Sequence, residues 1–272
     1  MITLAILVAA LHSTTPGRTA LPHPIPVVTI VAGDYYFQAP STVTAGWVTL
    51  RFLNRGRELH MLGVTRLDNG HAINELLTIL VQGKPAPEWA VDVGGPNAVS
   101  PGETSNATLR LEVGRYMLGC WITDARGRLH VFKGMVSPLE VTPARESTRS
   151  VPPPRPDVVA SLADYHITLS PPLTRGRHVI EVENNGPHEH DLTVLRLTTG
   201  VSEAQTLDWF DNPTRTPPAA TALGGVVGFM PGDHQFFTLD VAPGRYLLLC
   251  FVPDDSGRPH YRHGMFSPVT VR

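Results

Sequence analysis

The sequence predicts an all-β protein: two β-sandwich domains in tandem, with a short helix in each. Three observations carry that expectation. Short apolar runs are punctuated by 26 Pro and 24 Gly, the texture of strands and tight turns. At 272 residues the chain exceeds one typical domain. Sliding the sequence by 130 residues brings its two halves into register almost without a gap.

The repeat sets the domain organisation. Asp34-Tyr35 falls on Asp164-Tyr165, Asn54 and Gly56 on Asn184 and Gly186, and His60 on His190. Gly94-Gly95 meets Gly224-Gly225, and Pro101-Gly102 meets Pro231-Gly232. The densest match runs from Gly114-Arg115-Tyr116 to Val141, against Gly244-Arg245-Tyr246 to Val271. Such agreement marks a duplication. The expected division is a signal peptide over 1–20, a first domain over 21–143, a linker over 144–157 and a second domain over 158–272. The linker carries Val151-Pro152-Pro153-Pro154-Arg155-Pro156, which favours extended polyproline geometry.

Strand periodicity is legible in both halves. The first offers Val27–Val31, Trp47–Leu53, Met61–Leu67, Thr108–Val113, Tyr116–Ile122 and Val136–Val141. The second offers Val158–Leu162, His178–Glu183, Leu192–Leu197, Phe236–Val241, Tyr246–Val252 and Phe266–Val271. Helical patches interrupt them at Ile73–Val81 and Ser202–Phe210, and Ser202 with Gln205 forms a capping box. Two stacked antiparallel sheets per domain are expected.

The apolar run Met1–Leu11 is too short to span a bilayer and reads as a signal sequence, although no Lys or Arg precedes it. It predicts a periplasmic or secreted protein with no membrane span in the mature chain. Charged residues make up 17% of the chain and the net charge is −2, which leaves no basic stripe for nucleic acid. The two cysteines occupy corresponding places in the two repeats, so they are not expected to pair.

Four residue types with metal-binding capacity recur in one order: His60, Cys120, His130 and Met135, then His190, Cys250, His260 and Met265. Two His, one Cys and a weak axial Met are the donors of a blue-copper centre. Singly, each has a plainer reading: a buried Cys or Met is usually core, and a His at a strand end usually bonds backbone. As an ordered set present twice, they predict copper.

The segments carrying these residues resemble the cupredoxin family. Asn54-Arg-Gly-Arg-Glu-Leu-His60 and Asn184-Asn-Gly-Pro-His-Glu-His190 resemble its first-ligand motif, and Gly114-Arg-Tyr-Met-Leu-Gly-Cys120 and Gly244-Arg-Tyr-Leu-Leu-Leu-Cys250 resemble the strand that delivers the thiolate. His130-x4-Met135 and His260-x4-Met265 resemble its closing segment. The resemblance implies cupredoxin-like Greek-key sandwiches, type 1 copper and electron transfer. The chain departs from that pattern in the long loops 121–129 and 251–259 between Cys and the second His, which must fold back for His130 and His260 to coordinate. Asp124 and Asp254 sit where a shorter loop would place the His; they are expected to open an Asp-x-x-Gly turn. His188 and His263, matched by Glu58 and Lys133, are read as neighbours of the site and not as ligands.

The expected function is a copper protein that exchanges electrons with a redox partner protein. A non-redox copper chaperone or scavenger, and a metal-free cupredoxin-like interaction module, are the other readings. No His-Cys-His run is present and only His188-Glu-His190 approximates a His pair, so the chain is expected not to be an enzyme, with multicopper oxidase and nitrite reductase disfavoured.

Overall fold

A computed structural model of the chain describes residues 24–144, 151–211 and 219–272. The expected signal peptide lies outside the described residues, as does the linker segment 145–150; residues 151–156 carry no helix or strand.

The first half contains β1 (Val27–Gly33), β2 (Tyr36–Gln38), β3 (Thr42–Thr44), β4 (Gly46–Asn54), β5 (Gly63–Leu67), α1 (Ile73–Val81), β6 (Ala90–Asp92), β7 (Thr104–Leu111), β8 (Gly114–Gly119) and β9 (Val136–Thr142). The second contains β10 (Val158–Ala163), β11 (His166–Ser170), β12 (Gly176–Asn184), β13 (His190–Leu197), α2 (Glu203–Asp211), β14 (Ala220–Phe229), β15 (His234–Val241), β16 (Gly244–Leu249) and β17 (Phe266–Val271). Each half is a β-sandwich of the cupredoxin-like kind. In the first, the row β2-β1-β4-β7 faces the sheet β3-β9-β8-β5-β6; in the second, β11-β10-β12-β15 faces β14-β13-β16-β17.

Period-2 patterning explains the layering. Along β4, Val48, Leu50 and Phe52 are buried while Arg51 is exposed. Along β8, Tyr116 and Leu118 enter the core between the sheets, whereas Met117 points to the opposite face and packs under Leu76 of α1. Helix α2 covers the second unit likewise, with Leu207 packed among Leu195, Leu197, Leu247 and Leu249. Its capping box forms as the sequence predicts: Gln205 N donates to Ser202 Oγ (3.2 Å) and Ser202 N to Gln205 Oε1 (2.8 Å). Each Gly-Arg-Tyr corner is locked by its tyrosine, whose hydroxyl donates to Glu112 O (2.8 Å) or Ala242 O (2.7 Å).

Two expectations need correction. The sheets are mixed, because β1 pairs parallel with β4, β10 with β12 and β3 with β9. Parallel neighbours need a long crossover, which residues 34–45 supply between β1 and β4. Strand β14, ten residues long, has no counterpart among the predicted runs. Gly224, Gly225 and Gly228 break its apolar alternation, and its pairing with β13 carries register shifts.

The two sandwiches join edge to edge. β7 meets β15 at Thr108 and Phe236, making one eight-stranded sheet across both halves. Asn106 extends that pairing with its side chain: Nδ2 donates to Thr238 O (2.8 Å) and Oδ1 accepts from Thr238 N (2.8 Å). Beside this seam, residues 93–99 run antiparallel to β14 through bridges Val93–Phe229, Pro96–Val226 and Val99–Leu223. Replacing Asn106 by Ala removes both side-chain bonds, and we expect urea denaturation to show a loss of about 1–3 kcal/mol; unchanged stability would show that the seam does not depend on this residue.

Candidate metal centres

The first His of each unit is placed by a buried asparagine. Asn54 Nδ2 donates to Glu58 O (2.8 Å) and Val99 O (2.9 Å), while its Oδ1 accepts from Gly56 N (2.9 Å). Asn184 repeats this with His188 O, Phe229 O and Gly186 N. One amide thus ties the end of β4 or β12 to the loop that leads into the His. Glycine at 56 and 186 is required by close approach: a Cβ there would stand 2.6 or 2.7 Å from Nε2 of His60 or His190.

The long loops do fold back. In the first unit a small hairpin closes through the Thr123–Leu129 bridge and the bond from Asp124 N to Arg128 O (2.9 Å). Bonds from His130 N to Ile122 O (2.8 Å) and from Val131 N to Cys120 O (2.9 Å) seal its base. Asp124 shapes the turn, its Oδ1 accepting from Arg126 N and Arg128 N, and its Oδ2 from Lys133 Nζ. Asp254 plays the same part, with His263 in place of Lys133. The excursion is therefore self-contained, and the chain re-enters beside the cysteine it left. A short 3₁₀ turn, His130–Lys133 or His260–His263, then ends at Gly134 or Gly264 (φ 100°), whose left-handed backbone returns the chain to Met135 or Met265.

These placements bring three donors together in each unit. His60 Nδ1 and His130 Nδ1 are 3.2 Å apart, and Cys120 Sγ lies 3.9 and 3.6 Å from them. In the second unit the separations are 3.1, 3.9 and 3.6 Å among His190, Cys250 and His260. A point about 2.1 Å from all three donors lies within each triangle, against metal–nitrogen and metal–sulfur bonds of about 2.0 and 2.3 Å for zinc. All six residues are buried, and both cysteines are unpaired. Met135 and Met265 are fully buried in the same cores as Cys120 and Cys250, and the backbone of each bonds to its unit's Cys and second His.

The electrostatics suit a cation. Burial lowers the pKa of His60, His130, His190 and His260, so the rings are held neutral. Burial pushes the Cys120 thiol up to about 11. Burial, with the Asp191 carboxylate beside it, raises Cys250 well above its usual value. A metal ion held there would take the cysteine as thiolate, the form that binds metal. Carboxylates back the rings: Asp34 Oδ1 is 3.3 Å from His60 Nε2 and Asp164 Oδ1 is 3.2 Å from His190 Nε2, which puts each proton on Nε2 and leaves Nδ1 as a lone pair. Glu58 Oε2 is 2.9 Å from His130 Nε2, close enough for ion pairing though not aligned as a hydrogen bond. In the first unit the two Nδ1 atoms meet at hydrogen-bond distance, 3.2 Å, on the sulfur side of both rings.

The sequence reading named the His and Cys residues that the structure brings together in each unit, but missed the groups around them, Asp34, Asp164, Glu58 and Asp191. The Asp-Tyr match at 34–35 and 164–165 was the available signal. Tyr35 and Tyr165 also sit edge-on to His130 and His260, with ring centroids 5.1 and 5.4 Å apart.

None of the protein-family models searched matches the chain, and no curated protein matches it. Solved structures do. Auracyanin A, a "blue" copper protein of Chloroflexus aurantiacus, aligns at 19% identity over 44% of this chain and 100% of its own, with a TM-score of 0.33. The blue copper oxidase of Nitrosomonas europaea aligns at 16% identity over 90% of this chain and 84% of its own (TM-score 0.24). The copper nitrite reductase of the same organism aligns at 15% identity over 92% and 94% (TM-score 0.25). Fold and site define a class: a cupredoxin-like tandem with a His–Cys–His group in each unit that could hold a metal ion. The expectation that the chain is not an enzyme is corrected here, since proteins titled as oxidases and nitrite reductases align along nearly the whole chain. That expectation counted His pairs along the sequence, and the fold does not exclude an enzyme.

The backing carboxylates give a direct check. With the second centre disabled by Cys250→Ser, Asp34→Asn should weaken metal binding at the first by about 10- to 100-fold in a chelator competition. An unchanged affinity would show that Asp34 does not hold the His60 ring for the metal.

Proposed function

We propose that each unit binds one copper ion, through His60, Cys120 and His130 in the first and His190, Cys250 and His260 in the second, and that the chain transfers electrons. Met135 and Met265, buried in the same cores, would add a weak thioether donor to each set. The observation that supports this reading most is the buried N/N/S triangle, built twice from donors of matching softness at ligand spacing.

Copper, when bound, supplies a one-electron couple. The chain's own residues hold the geometry. The asparagine-anchored loop fixes the first His, the β8 or β16 strand fixes the thiolate, and the closed hairpin fixes the second His. Because backbone bonds set all three, the donors need not move when the charge of the ion changes, and rapid electron exchange requires that. Burial excludes water from the set, and the carboxylates behind the rings raise their donor strength. A redox partner protein and an exported location fit this role. No helix among the described residues is long and apolar enough to cross a membrane.

Loading with Cu(II) tests the reading. An intense visible thiolate-to-copper band is expected, with part of it lost in Cys120→Ser, part in Cys250→Ser, and all of it in the double variant. Copper bound without that band would favour a non-redox carrier, and no stoichiometric copper would overturn the reading.

A further inference from the structure

The two centres are not equivalent, and the difference reaches across the seam. In the second unit the residue after the first His is Asp191, where the first unit has Met61. Asp191 N donates to Cys250 Sγ (3.3 Å), and Asp191 Oδ1 accepts from Phe251 N (2.8 Å). Both faces of the thiolate-bearing turn therefore rest on this one buried residue.

Its other carboxylate oxygen is held from the opposite unit. Asn97, itself buried, directs Nδ2 to Asp191 Oδ2 (3.1 Å), Thr193 Oγ1 (2.9 Å), Leu192 O (3.2 Å) and Val226 O (2.9 Å). The amide is itself braced: Ala98 N donates to Asn97 Oδ1 (2.7 Å) and Asn97 N to Gly225 O (3.1 Å). Two residues on, Val99 pairs with the backbone of His60, a donor of the first centre (Val99 N to His60 O, 2.9 Å). A short buried strip thus touches a donor of one centre and supports the thiolate of the other. The counterpart of Asn97 is Val227, which shares the first core with Met61. The polar pair at one centre is matched by an apolar pair at the other.

We propose that Asn97 is a positioning residue of the second centre, supplied by the first unit: it fixes Asp191, and through it the Cys250 sulfur. This rests on the copper reading above. A backbone N–H reaches the sulfur in both units, from Met61 to Cys120 and from Asp191 to Cys250; the Asp191 carboxylate beside the sulfur belongs to the second unit alone, so loss of the Asn97 amide that holds it changes the second centre electronically as well as mechanically.

The test uses the full chain loaded with Cu(II). In a Cys120→Ser background only the second centre reports; in Cys250→Ser, only the first. Asn97→Val, which copies the Val227 counterpart, should shift the Cys250 charge-transfer band and weaken copper at the second centre by about tenfold, leaving the first centre's band in place. Asn97→Ser keeps a polar group but cannot reach Asp191, and it decides the question if the Val variant does not fold. A folded variant with lowered thermal stability but an unshifted second-centre band would overturn the inference, as would equal shifts at both centres. Absence of the band from the parent chain would overturn the copper reading, and this inference with it.

Discussion

A strand that ends inside a sandwich leaves backbone carbonyls and N–H groups facing protein instead of water, and each must find a partner or cost free energy. At the end of β4 and of β12 one buried asparagine meets that demand. Its amide donates to carbonyls of two separate segments and its oxygen accepts from a glycine two residues on. The first His follows directly from this knot. The strip that the knot grips, at Val99 or Phe229, is the one that packs across the seam between the halves. Satisfying a strand end therefore fixes the donor, the loop and the interface together.

The rest of the centre follows from a second constraint, the cost of burying polar groups. Two imidazoles and a thiol fully out of water stay neutral, and burial dominates the shift of each. In that state Nε2 of His130, buried beside the Glu58 carboxylate, has no aligned hydrogen-bond partner. The sandwich tolerates this because none of the donors sets its own position. Cys120 is held by Met135 and Val131 backbone, and His130 by Ile122 and Met135 backbone.

How much of this could be read from the sequence depended on the range of each interaction. The β8 and β16 strands, the tyrosine corners and the capping box at Ser202 are local, and their residue patterns announce them. The ordered His, Cys, His and Met pointed to the centres because strand order and repetition carry that signal. Strand β14 was hidden by its glycines, since its pairing comes from β13 and from residues 93–99, and not from its own alternation. Asp34 and Glu58 were hidden for a related reason. Each meets its histidine through loops that only the folded sandwich brings together, Asp34 from the turn after β1 and Glu58 from the loop before His60. The parallel pairing of β1 with β4 likewise depends on a crossover that no periodicity encodes.

Duplication alone would have given two identical centres, and the seam explains why they diverged in pairs. Corresponding strips of the two halves pack against each other, so any residue at position 97 faces the second unit and its counterpart at 227 faces the first. An apolar residue at 97 would leave the fully buried Asp191 without the amide that meets its Oδ2. At 227 the valine packs in the first core with Met61, which carries no carboxylate for an amide to meet. Asn97 pairs with Asp191 across the seam, and Val227 packs in the core that holds Met61. The carboxylate beside Cys250 is thus held in part by a side chain of the first unit.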